Sequence, residues 1–154
     1  MESREFKPFG SVSALTLGGG GIGNVWGETS KEESIASVHL ALESGIDHLD
    51  VAPMYGKGEA ERVVGEAIKE RSRDSFRLTT KCALGSMPDE EVYDRFNTSL
   101  IRSLDTMGTD YVDLFLLHSQ LIENDHESQK PDSSFVATGN LTTLKSFYLS
   151  LIHI

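Results

Sequence analysis

The chain has 154 residues, enough to bury one ordinary core and too few for a two-domain enzyme. Its 14 Lys and Arg residues against 24 Asp and Glu residues give a formal net charge of −10, which argues against nucleic acid or an anionic membrane as the main partner. The single cysteine, Cys82, cannot form an internal disulfide. With no apolar leader and no apolar run of membrane length, the sequence predicts a soluble, cytoplasmic protein.

The N-terminal part predicts a strand, a glycine loop and a helix. Residues 11–17 alternate apolar and polar side chains, as a short strand does. Seven of the 14 glycines fall between Gly10 and Gly27, which predicts a loop of tight backbone geometry. Ser30 and Glu33 form a capping box that starts a helix, and Gly45 is a natural stop. The apolar residues of this helix follow at helical spacing: Ile35, Val38 and Leu42.

Strands and helices then alternate. Strands are predicted over 46–52, 76–81 and 111–117, the last a nearly continuous apolar run expected to be covered on both faces. The second helix has its apolar face at Ala60, Val63, Val64, Ala67 and Ile68. The third, which starts near Pro88 and ends at Gly108, has its apolar face at Val92, Phe96, Leu100, Leu104 and Met107. This alternation predicts an α/β fold with parallel strands and right-handed crossovers.

The predicted strands end at nearly equal intervals. Their ends lie near Gly18, Asp50, Lys81 and His118, which are 32, 31 and 37 residues apart. This regularity favours a repeated βα unit over an irregular doubly wound sheet, and both alternatives stay open at this point. Residues 119–140 are polar and without a clear period, and residues 141–152 could form a short amphipathic helix.

Four ionisable side chains belong to three of these strand ends. Asp50, Lys81 and His118 stand at the ends, and Tyr55 lies in the loop just after Asp50. Because the carboxyl ends of parallel strands meet at one edge of a sheet, the four are expected to converge. An ammonium lowers the pKa of a neighbouring phenol from its reference of about 10, a carboxylate holds the ammonium, and a histidine orients a carbonyl oxygen. The set predicts a proton-donating site for a carbonyl substrate.

Each of the four, taken alone, also has a structural interpretation: a turn-capping acid, a packed aromatic ring, a solvated ammonium, and an imidazole bonded to backbone. The remaining histidines are interpreted as structural or surface residues: His39, His48, His126 and His153. Cys82 is interpreted as a small buried side chain. Scattered histidines and one cysteine lack the spacing of metal ligands, so no metal is expected.

The glycine segment also fits a dinucleotide-binding fingerprint. Gly18-x-Gly20-x-x-Gly23 matches the pattern, and Asp47 lies at about the right distance beyond it. In the true motif the last glycine opens the helix, so that pyrophosphate lies on the helix N-terminus. Here the capping box begins seven residues after Gly23, which makes a Rossmann-type module the weaker alternative.

Several segments together resemble the aldo-keto reductases. Residues 50–56, DVAPMYG, with the glutamate and glycine that follow in 58–65, resemble the D-x-A-x-x-Y-G…E…G signature of that family. Residues 79–81 resemble the strand that carries the family's lysine, and 110–118 the strand that ends in its histidine. Residues 21–26 resemble its first-strand loop. The resemblance covers about 15–118.

The resemblance implies a TIM barrel and NADPH-dependent reduction of an aldehyde or ketone. It makes Tyr55 the proton donor, tuned by Lys81 and Asp50, with His118 orienting the small carbonyl substrate. The nicotinamide would deliver hydride, the protein supplying orientation and electrostatics. The same resemblance places three residues near the nicotinamide end of the cofactor, Gly23, Asn24 and Asp50. It places Trp26 on the substrate side.

The family closes eight strands, and this sequence predicts four. The family's main pyrophosphate and adenosine contacts come from later strands and loops, and 119–154 reads as a divergent tail. We therefore expect a partial domain over 1–154, from an abbreviated gene model, an alternative transcript or a domain fragment. A catalytically inactive half-barrel is the alternative to an active enzyme. Its open sheet edges would favour self-association.

Overall fold

The computed structural model describes residues 1–7, 9–84 and 88–118. Two strands, β1 (Ser3–Phe6) and β2 (Gly10–Ser13), form an antiparallel hairpin. Four more form a sheet in the order β3 (Leu17–Gly18), β4 (His48–Asp50), β5 (Arg77–Cys82) and β6 (Leu114–Leu117). β3 pairs with β4, and β4 with β5, in parallel. The predicted α/β class with a parallel sheet is confirmed, and the predicted tail, with His126 and His153, lies outside the described residues.

The helices lie between these strands along the chain. They are α1 (Gly19–Ile22), α2 (Lys31–Glu43), α3 (Glu59–Ile68) and α4 (Val92–Met107). Short 3₁₀ turns at Arg73–Ser75 and Asp89–Glu91 precede β5 and α4. In the part of the chain that the structure describes, no helix is long and apolar enough to cross a membrane.

The segment predicted as one strand, 11–17, is divided between two sheets. β2 pairs with β1, placing Ser13 opposite Ser3, and β3 begins only at Leu17. Between them Ser13 donates its hydroxyl to the Leu15 carbonyl at 2.6 Å and its N–H to the Asp47 carboxylate at 2.8 Å. The prediction of a single strand was wrong, because a contact with a distant residue holds this turn and alternation does not reveal it.

The glycine segment was predicted to be a loop throughout, and the structure shows that part of it is helical. Residues 19–22 form the single helical turn α1, closed by the Gly23 N–H donating to the Gly19 carbonyl at 3.0 Å. Glycine is a poor helix former, so the sequence alone favours a loop. Close packing of the small Gly19 and Gly20, both buried, accounts for the difference.

The predicted capping box starts α2. The Ser30 hydroxyl accepts from the Glu33 N–H at 3.2 Å, and the Glu33 carboxylate accepts from the Ser30 N–H at 3.0 Å. The helix ends at Glu43, and Gly45 adopts φ of +82°, which favours glycine. Val38 is fully buried in the core, so the start, the stop and the apolar face of this helix are confirmed.

A second amphipathic helix, α3, forms the centre of the core. Every residue of its predicted apolar face is buried: Ala60, Val63, Val64, Ala67 and Ile68. They belong to one cluster with residues of β4, β5 and α4, among them Leu49, Leu78 and Met107. Glu61 is buried too, and its carboxylate accepts the Thr80 hydroxyl at 2.7 Å, which joins α3 to β5.

The last described strand, β6, differs from its prediction. It begins at Leu114 rather than 111, and its side chains are only partly buried, with Leu116 41% exposed. The expected cover on both faces is therefore not found. In the described sheet β6 is one of the two edge strands, so it has a neighbouring strand on one side only.

Contacts between residues divide the chain into two compact units. The first comprises Met1–Thr80 and Arg102–Phe115, and contains the hairpin, α1 to α3 and the apolar cluster. The second includes Lys81–Ile101 and Leu116–His118. In the second unit Cys82, Val92 and Phe96 are buried.

The contact between α3 and the end of α4 makes a testable prediction. A Cβ at Gly65 would lie 2.8 Å from the Met107 Cα and 2.9 Å from its carbonyl oxygen, both backbone atoms. We expect Gly65→Ala to lower the free energy of unfolding by about 1–3 kcal/mol through overpacking. Gly21→Ala is the matched control, because no atom lies within 4 Å of that Cβ. Equal urea midpoints for the two variants would contradict the close packing.

Candidate active site

Asp50 ends β4 between two neighbouring strands. Gly18 of β3 and Thr79 of β5 are its partners in the two parallel ladders. The next residue, Val51, donates its N–H to the Thr79 carbonyl at 2.9 Å. Asp50 therefore stands at the carboxyl end of a strand, as the sequence predicted.

Tyr55 lies on a tight turn directly after this strand. Its N–H donates to the Ala52 carbonyl at 3.0 Å, and its carbonyl accepts from the Ala60 N–H at 3.2 Å, at the start of α3. Gly56 follows with φ of +63°, and its Cα faces the Gly23 carbonyl so closely that a Cβ could not be placed there. The ring is partly buried against the apolar cluster.

The glycine turn α1 lies against both Asp50 and Tyr55. A Cβ at Gly19 would lie 3.1 Å from the Asp50 carbonyl and 3.2 Å from the Tyr55 ring. A Cβ at Gly23 would lie 3.0 Å from the Tyr55 carbonyl. A Cβ at either position would be crowded, so glycine lets the two backbones lie this close together. The structure thus places Asp50 and Tyr55 beside the same helical turn, within one compact unit.

Lys81 and His118 belong to the second unit, at the ends of two adjacent strands. The His118 N–H donates to the Cys82 carbonyl at 2.8 Å, one residue beyond Lys81. Lys81 is only 8% exposed, which is unusual for a lysine and contradicts its interpretation as a solvated charge. Each pair of predicted residues is therefore brought together within its own unit, and the convergence of all four stays a prediction.

Apart from Asp50, the residues expected near the cofactor and substrate lie on the segment after α1. Asn24 adopts φ of 60°, and its side-chain carbonyl accepts from the Thr29 N–H at 2.6 Å and the Thr29 hydroxyl at 2.7 Å. Trp26 is 81% exposed, and its ring passes close to Gly20, where a Cβ would lie 2.8 Å away. Asn24 thus shapes the loop that carries Trp26.

The geometry does not favour the dinucleotide fingerprint. A Cβ at Gly20 or Gly23 would meet Trp26 or Tyr55, so these two glycines accommodate the protein's own atoms rather than a pyrophosphate. Asp47, the acid expected to bind ribose in that alternative, accepts a hydrogen bond from the Ser13 N–H. Among the described residues no group of three or more His, Cys, Asp or Glu side chains could hold a metal ion.

His48 is a residue whose place sequence reasoning did not recognise. It was interpreted as structural or surface, and its ring bonds to Thr16 and Thr79 on the two neighbouring strand segments. Burial is the largest influence on it and lowers the pKa of the imidazole, while the carboxylates of Asp50, Asp47 and Asp113 act in the opposite direction. The available signal was its position two residues before Asp50, which puts both side chains on one face of the strand.

The turn that carries Tyr55 makes a second prediction. Gly56→Ala would bring a Cβ onto the Gly23 carbonyl at a φ of +63°. We expect it to destabilise the fold by about 1–3 kcal/mol more than Gly10→Ala does. Gly10 is the matched control, because its φ of +72° carries the same backbone penalty with no atom within 4 Å of the Cβ. Urea unfolding that gives equal losses for the two variants would contradict the close approach.

The buried thiol of Cys82 makes a third testable prediction. Cys82 is 1% exposed, and burial raises the pKa of its thiol, opposed by a hydrogen bond with Ser99 and by Arg95. Because the thiolate is the reacting form, iodoacetamide at neutral pH should label the folded protein far more slowly than the same protein in denaturant. Cys82→Ser serves as the blank. Equally fast labelling of the folded and denatured protein would show that the thiol is accessible.

The sequence of this chain is similar to a known family and to several of its characterised members. A family model described as the aldo/keto reductase family matches residues 14–133. Aldo-keto reductase YhdN of Bacillus subtilis is 39% identical over 114 residues, covering 70% of this chain and 34% of that protein. The NADH-specific methylglyoxal reductase of Escherichia coli is 31% identical over 125 residues, covering 72% of this chain and 38% of that protein. The chain thus spans about a third of the length of these relatives.

Solved structures agree. An aldo-keto reductase from Klebsiella pneumoniae in complex with NADPH has a TM-score of 0.65 at 27% identity, covering 79% of this chain and 40% of that one. The Bombyx mori aldo-keto reductase in complex with NADP has a TM-score of 0.66 at 26% identity, covering 97% of this chain and 46% of that one. Together with the family match over more than half of the sequence, these likenesses show that the chain belongs to the aldo/keto reductase family of oxidoreductases, and that its parallel sheet is part of that family's TIM-barrel architecture.

Proposed function

We propose that the protein reduces an aldehyde or ketone to an alcohol with NADPH, using Tyr55 as the proton donor. The observation that carries the proposal is the placement of Tyr55 and Asp50 beside one glycine turn at the end of β4, in a chain of the aldo/keto reductase family. The substrate is a small carbonyl compound. A cytoplasmic location belongs to the same proposal, because a single free thiol suits a reducing compartment.

The chemistry assigned to this chain is proton donation and orientation. The Tyr55 hydroxyl gives its proton to the carbonyl oxygen as that oxygen gains negative charge. The Lys81 ammonium favours the resulting phenolate, and the Asp50 carboxylate balances the ammonium. His118 donates a hydrogen bond that orients the carbonyl oxygen. NADPH, when bound, supplies the hydride that adds to the carbonyl carbon.

The residues proposed for the cofactor fit its nicotinamide end. Asn24 offers a carboxamide and Asp50 a carboxylate, which suit the amide and ribose hydroxyls rather than phosphates. Gly23, whose N–H donates to the Gly19 carbonyl, holds the turn that carries Asn24. Asn24 already uses its side-chain oxygen for Thr29, so its amide N–H groups are the atoms assigned to the ligand. Trp26 offers an exposed ring for the substrate side. NADPH and NADP occupy two of the related structures, whereas one relative is named as NADH-specific, so both nucleotides belong in the test.

A second candidate is a catalytically inactive half-barrel. Its supporting observation is the sheet of the described residues, which has four strands. The partly exposed outer strand β6 would favour self-association of such a chain.

The two candidates are separated by an assay of the purified chain. With 4-nitrobenzaldehyde and either nucleotide, we expect turnover that falls by about 10²–10⁴-fold in Tyr55→Phe, because the phenylalanine has no proton to give. Tyr93→Phe is the matched control, since Tyr93 is an exposed residue of α4, and it should keep full activity. Cooperative unfolding of each variant establishes that it is folded.

Either of two results would count against the proposal. A folded chain that reduces no aldehyde with NADPH or NADH supports the inactive half-barrel. Full activity in Tyr55→Phe removes Tyr55 from the chemistry even if the reductase activity is real.

A further inference from the structure

His48 connects the two strand segments on either side of its own strand. Its Nε2 lies 2.7 Å from the Thr79 hydroxyl on β5, and its Nδ1 lies 3.3 Å from the Thr16 hydroxyl just before β3. A neutral imidazole has one donor and one acceptor nitrogen, and a threonine hydroxyl can serve either. One side chain thus makes polar contacts across three neighbouring segments of the sheet.

Asp50 lies on the same face of the sheet as these contacts. His48 and Asp50 are two residues apart on β4, so their side chains leave the same face of the sheet. Thr79 is the ladder partner of Asp50, and its carbonyl accepts the Val51 N–H at 2.9 Å. Thr79 therefore contacts the residues on both sides of Asp50 along β4. Its carbonyl binds Val51, which follows Asp50, and its hydroxyl binds His48, which precedes it.

The charges around His48 single out Asp50. Three carboxylates and one guanidinium act on the imidazole: Asp50, Asp47, Asp113 and Arg77. Of these four charged groups, Asp50 has the largest charge interaction with the imidazole. It also shares a face of β4 with His48.

We propose that His48 is a positioning residue for Asp50, and that its imidazole fixes the end of β4 through hydrogen bonds with Thr79 and Thr16. The inference rests on the proposed function, in which Asp50 balances Lys81. It assigns to His48 a role that reaches the reaction only through Asp50. A protonated His48 would attract the Asp50 carboxylate and compete with Lys81 for it, so activity should fall as His48 becomes protonated.

The first test is a titration that needs no catalysis. The side-chain NMR signals of His48, assigned by their loss in His48→Gln, should titrate below the usual midpoint of about 6.5. Asp50→Asn should move the midpoint lower still, because the carboxylate favours the imidazolium. Asp105→Asn on α4 removes the same charge from an exposed position and should leave the midpoint unchanged. A midpoint unmoved by Asp50→Asn overturns the coupling.

The second test is the reductase assay against pH. His48→Leu loses both hydrogen bonds, and kcat should fall by about 10–100-fold with little change in KM, as expected for misplacement of a group near the reaction. His48→Gln keeps a hydrogen-bonding group near Thr79, so it should recover most of kcat and lose the acidic decline of the wild-type profile. His39→Gln is the matched control, since His39 makes one hydrogen bond, to the Ala67 carbonyl on α3.

The outcomes separate the two proposals. If no variant or wild-type chain reduces an aldehyde, the proposed function fails while the titration still decides the coupling of His48 to Asp50. If the enzyme is active and His48→Leu keeps both its kcat and the wild-type acidic decline, the positioning role is overturned while the function stands.

Discussion

The close approach of two backbones sets the geometry of this molecule. The turn after β4, which carries Tyr55, lies so near the α1 turn that a side chain is excluded at Gly56 and would be crowded at Gly19 and Gly23. These glycines come from two segments more than thirty residues apart in sequence, and the packed core of α2 and α3 holds those segments together. Asp50 and Tyr55 owe their shared position to this contact, and the proposed proton donation depends on it in turn.

A set of polar contacts complements the apolar core on the sheet. The buried pair of Glu61 and Thr80 joins α3 to β5 on the helix side. His48 joins β4 to Thr79, the adjacent residue of β5, whose side chain leaves the other face. Buried polar groups are costly unless satisfied, so contacts of this kind fix strand positions more narrowly than apolar packing does. The strand that leads to Lys81 is therefore held from both faces of the sheet.

Periodicity and local capping predicted the helices well, because those signals are local. Val38 and the apolar face of α3 are buried as expected, and the Ser30 box starts α2. The turn at Ser13 escaped prediction because a distant acid, Asp47, holds it. The α1 turn escaped because packing overrides glycine's low helix propensity. For the site, the strand-end rule found Asp50, whereas the contacts of His48 need the strand register, which one sequence does not contain.

In the proposed function, this chain supports hydride transfer from the nicotinamide to a carbonyl carbon. The most direct measurement is the fate of the hydrogen atoms in the product, using NADPH that carries deuterium at the transferable position of the nicotinamide. From 4-nitrobenzaldehyde, the folded wild-type chain should form 4-nitrobenzyl alcohol with one deuterium on its benzylic carbon. Recovery of unreduced aldehyde from a folded chain, or of alcohol without the label, would contradict the proposed function.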